Sequence, residues 1–521
     1  MNNSICKKLS LLVAFILAIA ANGLAQSEHI DEAAFKKIRV AELTDSHIPQ
    51  IAHYLTDVSG PRLPGSEGYK RAATWAVETM KKWGLANAAI EPYGEFGKQW
   101  ELQEFSIAMK IPYYQPLRAY PEPWCGNTTG LAQGKVALLT LQQAADTTYL
   151  VNHSADLKGK FILIAADPHP SVQDLGPSSQ RYSDAALDTI DEQHPVSREV
   201  IVKSIARQKL RAAVDLILKR SGVLGRIAAG PDNVNGIVHV QAGIGFRLTD
   251  PESVPKVTMS YEDGQRIKRL IQSGHPVELA LNLQGRFSTA DTKGYNVVAE
   301  IPGTDPKLKS ELVMLGGHLD SWQSSTGATD NAAGCIVVME AMRLLDSLGL
   351  KPKRTIRVAL WDGEEQGLYG SYNYVKNHFM KPDGTPNAEQ KKVSAYFNID
   401  YGTGKIRGIF AQNNVAVKPL FEQWFAPFHD LGAKTVTLKN TGSTDHLSFD
   451  WAGIPGFQFV QDPLDEDRTH HTDLDDYDHL AIEDLKQSAI IMASFIYQSS
   501  IRQLPLPRKN WKKEVFLFDG L

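Results

Sequence analysis

The chain has 521 residues, too many for one ordinary domain, and its 55 Lys and Arg against 59 Asp and Glu leave a formal charge of -4. Without the first 25 residues, which hold Lys7 and Lys8 but no Asp or Glu, the charge is -6. So mild an acidity gives no case for nucleic acid or an anionic surface as partner.

Lys7 and Lys8, the apolar run Leu9 to Ala21 and the small residues ending at Ala25 have the three regions of a secretory signal. The rival reading is a membrane anchor. The run is about 13 residues, against the ~20 that a spanning helix needs, and no later stretch is long and apolar enough to span. Residues 1–25 are therefore read as a signal peptide cut near Ala25, and the mature chain as secreted or periplasmic, without stable membrane insertion. No Cys stands just after the apolar run, which argues against a lipoprotein. Cys6 lies in the signal, Cys335 reads as a packed residue at the start of a buried helix, and Cys125 sits in a Pro- and Gly-rich loop, so a disulfide is not expected.

In residues 26–120, Ala72, Trp75, Ala76, Met80 and Trp83 recur at helical spacing. Residues 121–288 contain the stretches Leu157 to Ile164 and Val254 to Ser260 and none of the metal-type constellation that follows. Within them, Asp174 to Pro195 is rich in Asp, Ser and Gln and predicts a long exposed loop. Asn127-Thr128-Thr129 and Asn152-His153-Ser154 fit a glycosylation pattern that matters only in a glycosylating host.

Residues 289–521 carry the chemistry. The apolar run Leu312 to Leu315 predicts a buried strand, and Gly316-Gly317-His318-Leu319-Asp320 leaves its end. Alternation puts His318 and Asp320 on one side, so the carboxylate can orient an imidazole that binds metal. Asp330 precedes the apolar helical stretch Ile336 to Leu345, a position where an Asp most often serves as N-cap. The strand Thr355 to Trp361 ends in Asp362-Gly363-Glu364-Glu365, and two adjacent glutamates at a strand end point opposite ways. One can bind metal while its neighbour acts as general base. The strand Val393 to Ile399 ends in Asp400, and His470 and His471 compete for one further role. Singly, each is an ordinary turn former or polar loop residue. Together they are the layout of a two-metal hydrolase.

With these residues in order, the chain resembles the co-catalytic zinc exopeptidases of clan MH, the group of bacterial leucyl aminopeptidases, aminopeptidase Y and carboxypeptidase Q, and stands closest to the last. Further matches are Arg62 to Gly68, Ser443 to Phe449 and Ala452 to Pro455. The resemblance implies two zinc ions, with His318 and Asp400 on one, Glu365 and His471 on the other, and Asp330 bridging. The resemblance prefers His471 over His470, because the family's last ligand precedes a Thr or Ser and is followed four residues on by an Asp, as His471 is by Thr472 and Asp475. Asp320 would orient His318, and Glu364 would serve as general base for attack by a hydroxide held between metals about 3.5 to 4 Å apart. Asp445 and His446 would line or brace the site without being ligands. The resemblance also implies a cis peptide after Asp330, small unblocked peptides as substrates, and a homodimer.

Strands alternating with helices predict a three-layer α/β/α sandwich with a mostly parallel central sheet, ligands lying at its strand ends. Residues 121–288 resemble a β-rich protease-associated (PA) domain inserted into that fold, with a lid or substrate-selecting role or that of a passive spacer. Three protein ligands per metal, counting the shared Asp330, leave an open position on each, and nitrogen with carboxylate suits zinc. Aminopeptidase and carboxypeptidase-like dipeptidase specificities both remain open. So do a one-zinc glutaminyl cyclase and a silent binding protein on the same fold. Asn440 to Thr444 offers no tyrosine to hold a tetrahedral oxygen.

Overall fold

In the computed structural model the described residues are 28–165, 178–194, 196–242 and 244–511. The proposed signal peptide thus lies outside them. Among them no helix is long and apolar enough to cross a membrane.

Among the described residues sixteen strands form two sheets of eight. In chain order they are β1 (Ala86–Glu95), β2 (Gln99–Ile111), β3 (Gln115–Pro116), β4 (Ala119–Pro121), β5 (Ala132–Leu139), β6 (Phe161–Ala165), β7 (Gly225–Ala229) and β8 (Lys256–Met259), then β9 (Glu278–Ser288), β10 (Lys293–Ile301), β11 (Leu312–His318), β12 (Thr355–Trp361), β13 (Val393–Asn398), β14 (Ile406–Phe410), β15 (Thr435–Thr437) and β16 (Gly456–Gln461). The first sheet runs β1-β10-β12-β11-β13-β16-β14-β15. Its centre, β12-β11-β13-β16, is parallel throughout. Antiparallel pairs flank that centre on both sides.

Both faces of β11 are covered, which is why it reads as an unbroken apolar run. Val313 and Leu315 face a core shared with the helices Glu32–Thr44, Glu67–Lys82, Ala333–Ser347 and Ile482–Ile501. Met314 faces the opposite way, into a cluster with Trp361, Tyr396 and residues of the helices Tyr369–Phe379 and His446–Trp451. This is the three-layer sandwich with a mixed, centrally parallel sheet.

The second sheet, β3-β2-β9-β5-β6-β7-β8-β4, draws all its strands from residues 99–288. It has its own core, in which Phe161, Leu163, Ile227, Val257 and Leu279 pack with Ile267 of the helix Tyr261–Gln272. The long helix Arg198–Arg220 lies between β6 and β7 in sequence.

Of the exposed loop expected over 174–195, the described residues 178–194 are mostly exposed but are also anchored. They include the helix Asp184–Asp188 and form a strap tied to the first layer. Arg181 Nη1 lies 2.9 Å from Asp462 and 2.7 Å from Asp484, both carboxylates nearly fully buried. The Tyr182 N–H donates to Asp462 (3.0 Å), and Gln180 and Gln193 make isolated bridges to Leu464 and Thr441. Polar residues that composition assigns to solvent are here used as ion-pair and hydrogen-bond partners. Cys125 and Cys335 are buried and free.

Candidate metal centre

β11, β12 and β13 are parallel, so their carboxyl ends open on the same side of the sheet, where a site forms in folds of this kind. His318 is the last residue of β11, Glu364 and Glu365 follow β12 through a turn at Gly363 (φ +68°), and Asp400 follows β13. Asp330 is extended (φ -127°, ψ 95°), and its peptide bond to Asn331 is cis. The regular helix begins only at Ala333. Asn331 Oδ1 accepts the Gly334 N–H (2.8 Å), so Asn331 rather than Asp330 makes the capping contact and leaves the Asp330 carboxylate free for other work. A Cβ on Gly334 would stand 2.3 Å from the Ile399 carbonyl, so the helix approaches the end of β13 only because that residue is glycine.

Two groups converge on Asp330. His318 Nε2 lies 3.1 Å from Asp330 Oδ1 and 3.2 Å from Asp400 Oδ1. His471 Nε2 lies 2.9 Å from Asp330 Oδ2 and 2.9 Å from Glu365 Oε2. His470 is 3.8 Å from Asp330 with its side chain 48% exposed, against 10% for His471, and Asp330, His470 and His471 together stand close enough to share an ion. Glu365 Oε1 is buried without a hydrogen-bond donor. Unpartnered buried carboxylate oxygens are costly, and a bound cation removes that cost. Imidazole nitrogen and carboxylate oxygen, without thiolate, are a donor set suited to zinc and similar ions.

Asp320 joins two parts of the site. Its carboxylate accepts the N–H groups of Glu364 (3.2 Å) and Glu365 (3.3 Å), and its Oδ1 stands 3.6 Å from His318 Nδ1. His318 Nδ1 also meets the main-chain oxygen of Asp320 at 3.0 Å. Asp320 therefore fixes the double-Glu turn as well as the imidazole. Asp445 is fully buried, while His446 Nε2 contacts the Thr441 carbonyl (3.1 Å) and Gln412, a bracing position.

Burial pushes the Glu364 carboxyl well above its ordinary range; nearby His318 pulls it down, while Asp400, Asp445 and Glu365 add to the rise. A raised pKa is what a group that takes and returns a proton near neutral pH requires. His318 is pushed the other way from a buried imidazole: burial lowers it, but Asp400, Asp320 and Asp330 together hold it well above its usual value.

Sequence reasoning gave Asp475 only as a spacing marker. Its carboxylate accepts the N–H groups of Thr329 and Asp330 and so holds Asp330 from behind. Arg62, noted as part of a matching motif, is fully buried and donates to the carbonyls of Leu55 (3.0 Å), Leu319 (2.6 Å), Thr326 and Gly327 (2.8 Å), stapling the loop that leads to Asp330. The site opens into a cavity of about 1410 Å³. Its lining includes His318, Glu364 and His471 from the first layer and Ile201, His239 and Arg247 from the chain around the second sheet.

The profile described as Peptidase family M28 matches residues 296–496. Carboxypeptidase Q of Xenopus laevis is 38% identical over 411 residues, covering 78% of this chain and 76% of that protein. The chain belongs to peptidase family M28. As a member it is an enzyme, a hydrolase of the metallo-exopeptidase kind. Among solved structures, a peptidase M28 precursor from Shewanella amazonensis superposes with a TM-score of 0.66 at 25% identity, over 91% of this chain and 98% of that one. BSAP, a zinc aminopeptidase from Bacillus subtilis, shares the fold at a TM-score of 0.56 and 20% identity, over 88% and 98%. The M28 match begins at Asn296 in β10 and ends at Ile496 in the last long helix, so it contains every residue of the two His-carboxylate groups.

Proposed function

We propose that this M28 chain is an exported zinc exopeptidase acting on small unblocked peptides, dipeptides above all, as an aminopeptidase or a carboxypeptidase Q-like dipeptidase. The observation that carries the reading is the pair of His-carboxylate groups sharing Asp330, with Glu364 alongside. In this reading His318, Asp330 and Asp400 hold one zinc, and Asp330, Glu365 and His471 the other. Two zinc ions bound there would supply an activated water and polarise the scissile carbonyl. Glu364 takes the proton from the attacking water and delivers it to the leaving amine. Asp320 keeps Glu364 and Glu365 apart in role by holding both backbone N–H groups. No side chain becomes covalently attached to substrate.

In this proposal residues 26–120 and 289–521 belong to the peptidase domain and residues 121–288 to an inserted PA domain that selects substrates, with β2, β3 and β4, from residues 99–121, completing the sheet of that insert. His239 and Arg247 on the cavity wall support the selecting role. The proposal includes export after cleavage near Ala25 and pairing of two chains, which amino-terminal sequencing and sedimentation of the native protein check.

The test is to assay wild type and Glu364→Ala, both with metal content measured, on an unblocked dipeptide, its N-acetylated and amidated forms, and a Gln-initiated peptide. Wild type is expected to hydrolyse the free dipeptide and the variant to lose about 10²- to 10⁴-fold in kcat while retaining two zinc ions. The blocked forms report which terminus is read. Cyclisation of the Gln peptide with one zinc bound, or no turnover by the fully loaded wild type, overturns the reading.

A further inference from the structure

Between β7 and β8 the chain leaves the second sheet and reaches across to the His471 segment. The Val238 N–H donates to Asp473 Oδ1 (2.8 Å), the Asp473 N–H to the Val238 carbonyl (3.1 Å), and the Val240 N–H to the His471 carbonyl (2.8 Å). His239 and Thr472 form an antiparallel bridge. His471 itself has a left-handed backbone (φ +59°), a conformation uncommon for a residue with a side chain, so its aim is imposed by these neighbours rather than by local preference.

The side chain is held by the same segment. His471 Nε2 faces Asp330 and Glu365, and its other ring nitrogen, Nδ1, meets the side-chain amide of Gln241. A ring whose Nε2 is turned to a metal carries its hydrogen on Nδ1 and needs an acceptor there. A half-turn of the Gln241 amide exchanges its nitrogen and oxygen, and the oxygen is the atom that satisfies Nδ1.

We propose that Gln241 is a positioning residue for His471, its side-chain oxygen accepting the Nδ1–H so that a segment outside the M28 match sets the aim of one metal-binding imidazole. The proposal rests on His471 being a metal ligand. It makes the second layer part of the metal site rather than only a wall of the cavity. Loss of such an outer partner typically weakens metal binding about 10- to 100-fold.

The experiment uses the full-length protein, stripped of metal and titrated with Zn²⁺ against a chromophoric chelator and with Co²⁺ followed by its visible spectrum. Gln241→Leu, which keeps the volume and removes the acceptor, is expected to weaken one of the two sites about 10- to 100-fold and to shift the Co²⁺ bands. Gln241→Glu, which restores an acceptor, is expected to recover affinity. Gln241 is exposed, so the Tm of metal-free Gln241→Leu should match wild type. If that Tm falls, Gln241→Glu decides, recovered affinity supporting the role and weakened affinity overturning it. Wild-type affinity and spectrum in a stable Gln241→Leu also overturn it. His471→Ala separates the two readings, because a chain that keeps both ions without His471 defeats the ligand assignment itself.

Discussion

Away from the site, Glu42 is a buried residue whose charge costs the fold stability. It is fully buried beside Glu340, which is equally buried and paired with Arg343 at 2.7 Å. Burial, then the hydrogen bond and like charge of Glu340, pushes the Glu42 carboxyl up to about 9. An exposed Glu titrates near 4.3, so between about pH 4.3 and about pH 9 the folded chain holds a proton that the unfolded chain has released. Stability therefore falls as pH rises through that window. Glu42→Gln keeps a donor toward Glu340 and removes the titration, so its Tm is expected to exceed wild type near pH 8.5 and to vary less with pH. Equal pH slopes in the two proteins would sink this account. The contrast with His318, Asp330, Glu365, Asp400 and His471 shows what one sequence can reveal. Most of those five end a strand-like run or open a turn, and such positions stand out. Glu42 lies in EAAFKKIRVAELT, where one more Glu looks like solvated charge, and only its neighbours across the helix packing make it otherwise.

At the scale of elements, the segment from Arg62 to the helix Glu67–Lys82 works as a unit. Ser66 caps that helix by accepting the Tyr69 N–H (3.2 Å), and a Cβ on Gly68 would stand 1.9 Å from the Pro61 carbonyl. Arg62 donates to four carbonyls, that of Leu55 and those of Leu319, Thr326 and Gly327 on the way to Asp330. Arg62→Met fills similar space but leaves those carbonyls without their donor, a loss of roughly 3 kcal/mol. Chemical denaturation of the metal-free protein measures it, and a change below about 1 kcal/mol would show that water replaces the guanidinium. The central strands were legible because burial on both faces makes their apolar runs continuous. The strap 178–194 was not, because its ion pairs with Asp462 and Asp484 join residues far apart in sequence. The same distance in sequence hid the contact between Gln241 and His471.

For the molecule as a whole, Asp330, Asp400, Glu364, Glu365, Asp445 and Asp475 gather at one end of the first sheet, and bound zinc would be the main cationic counterweight. Chelation is expected to lower Tm, and zinc at about 1,000 times its Kd should return about 4 kcal/mol. Calorimetry with chelator and after zinc replacement checks this, and an unchanged Tm would mean that the carboxylates are stable without ions. The order of synthesis adds a different demand. β1 pairs with β10 in a register that sets Glu95 against Lys293, so the second sheet is made entirely between two neighbouring strands. At roughly 5 to 20 residues per second, β1 leaves the ribosome tens of seconds before its partner. Through that interval it is an unpaired edge, and the inserted layer is free to finish folding first. The first sheet is thus assembled after the inserted layer, and β10, the first of its later strands, must find a partner made long before it, so nascent chains halted before β10 should be the species most dependent on chaperones.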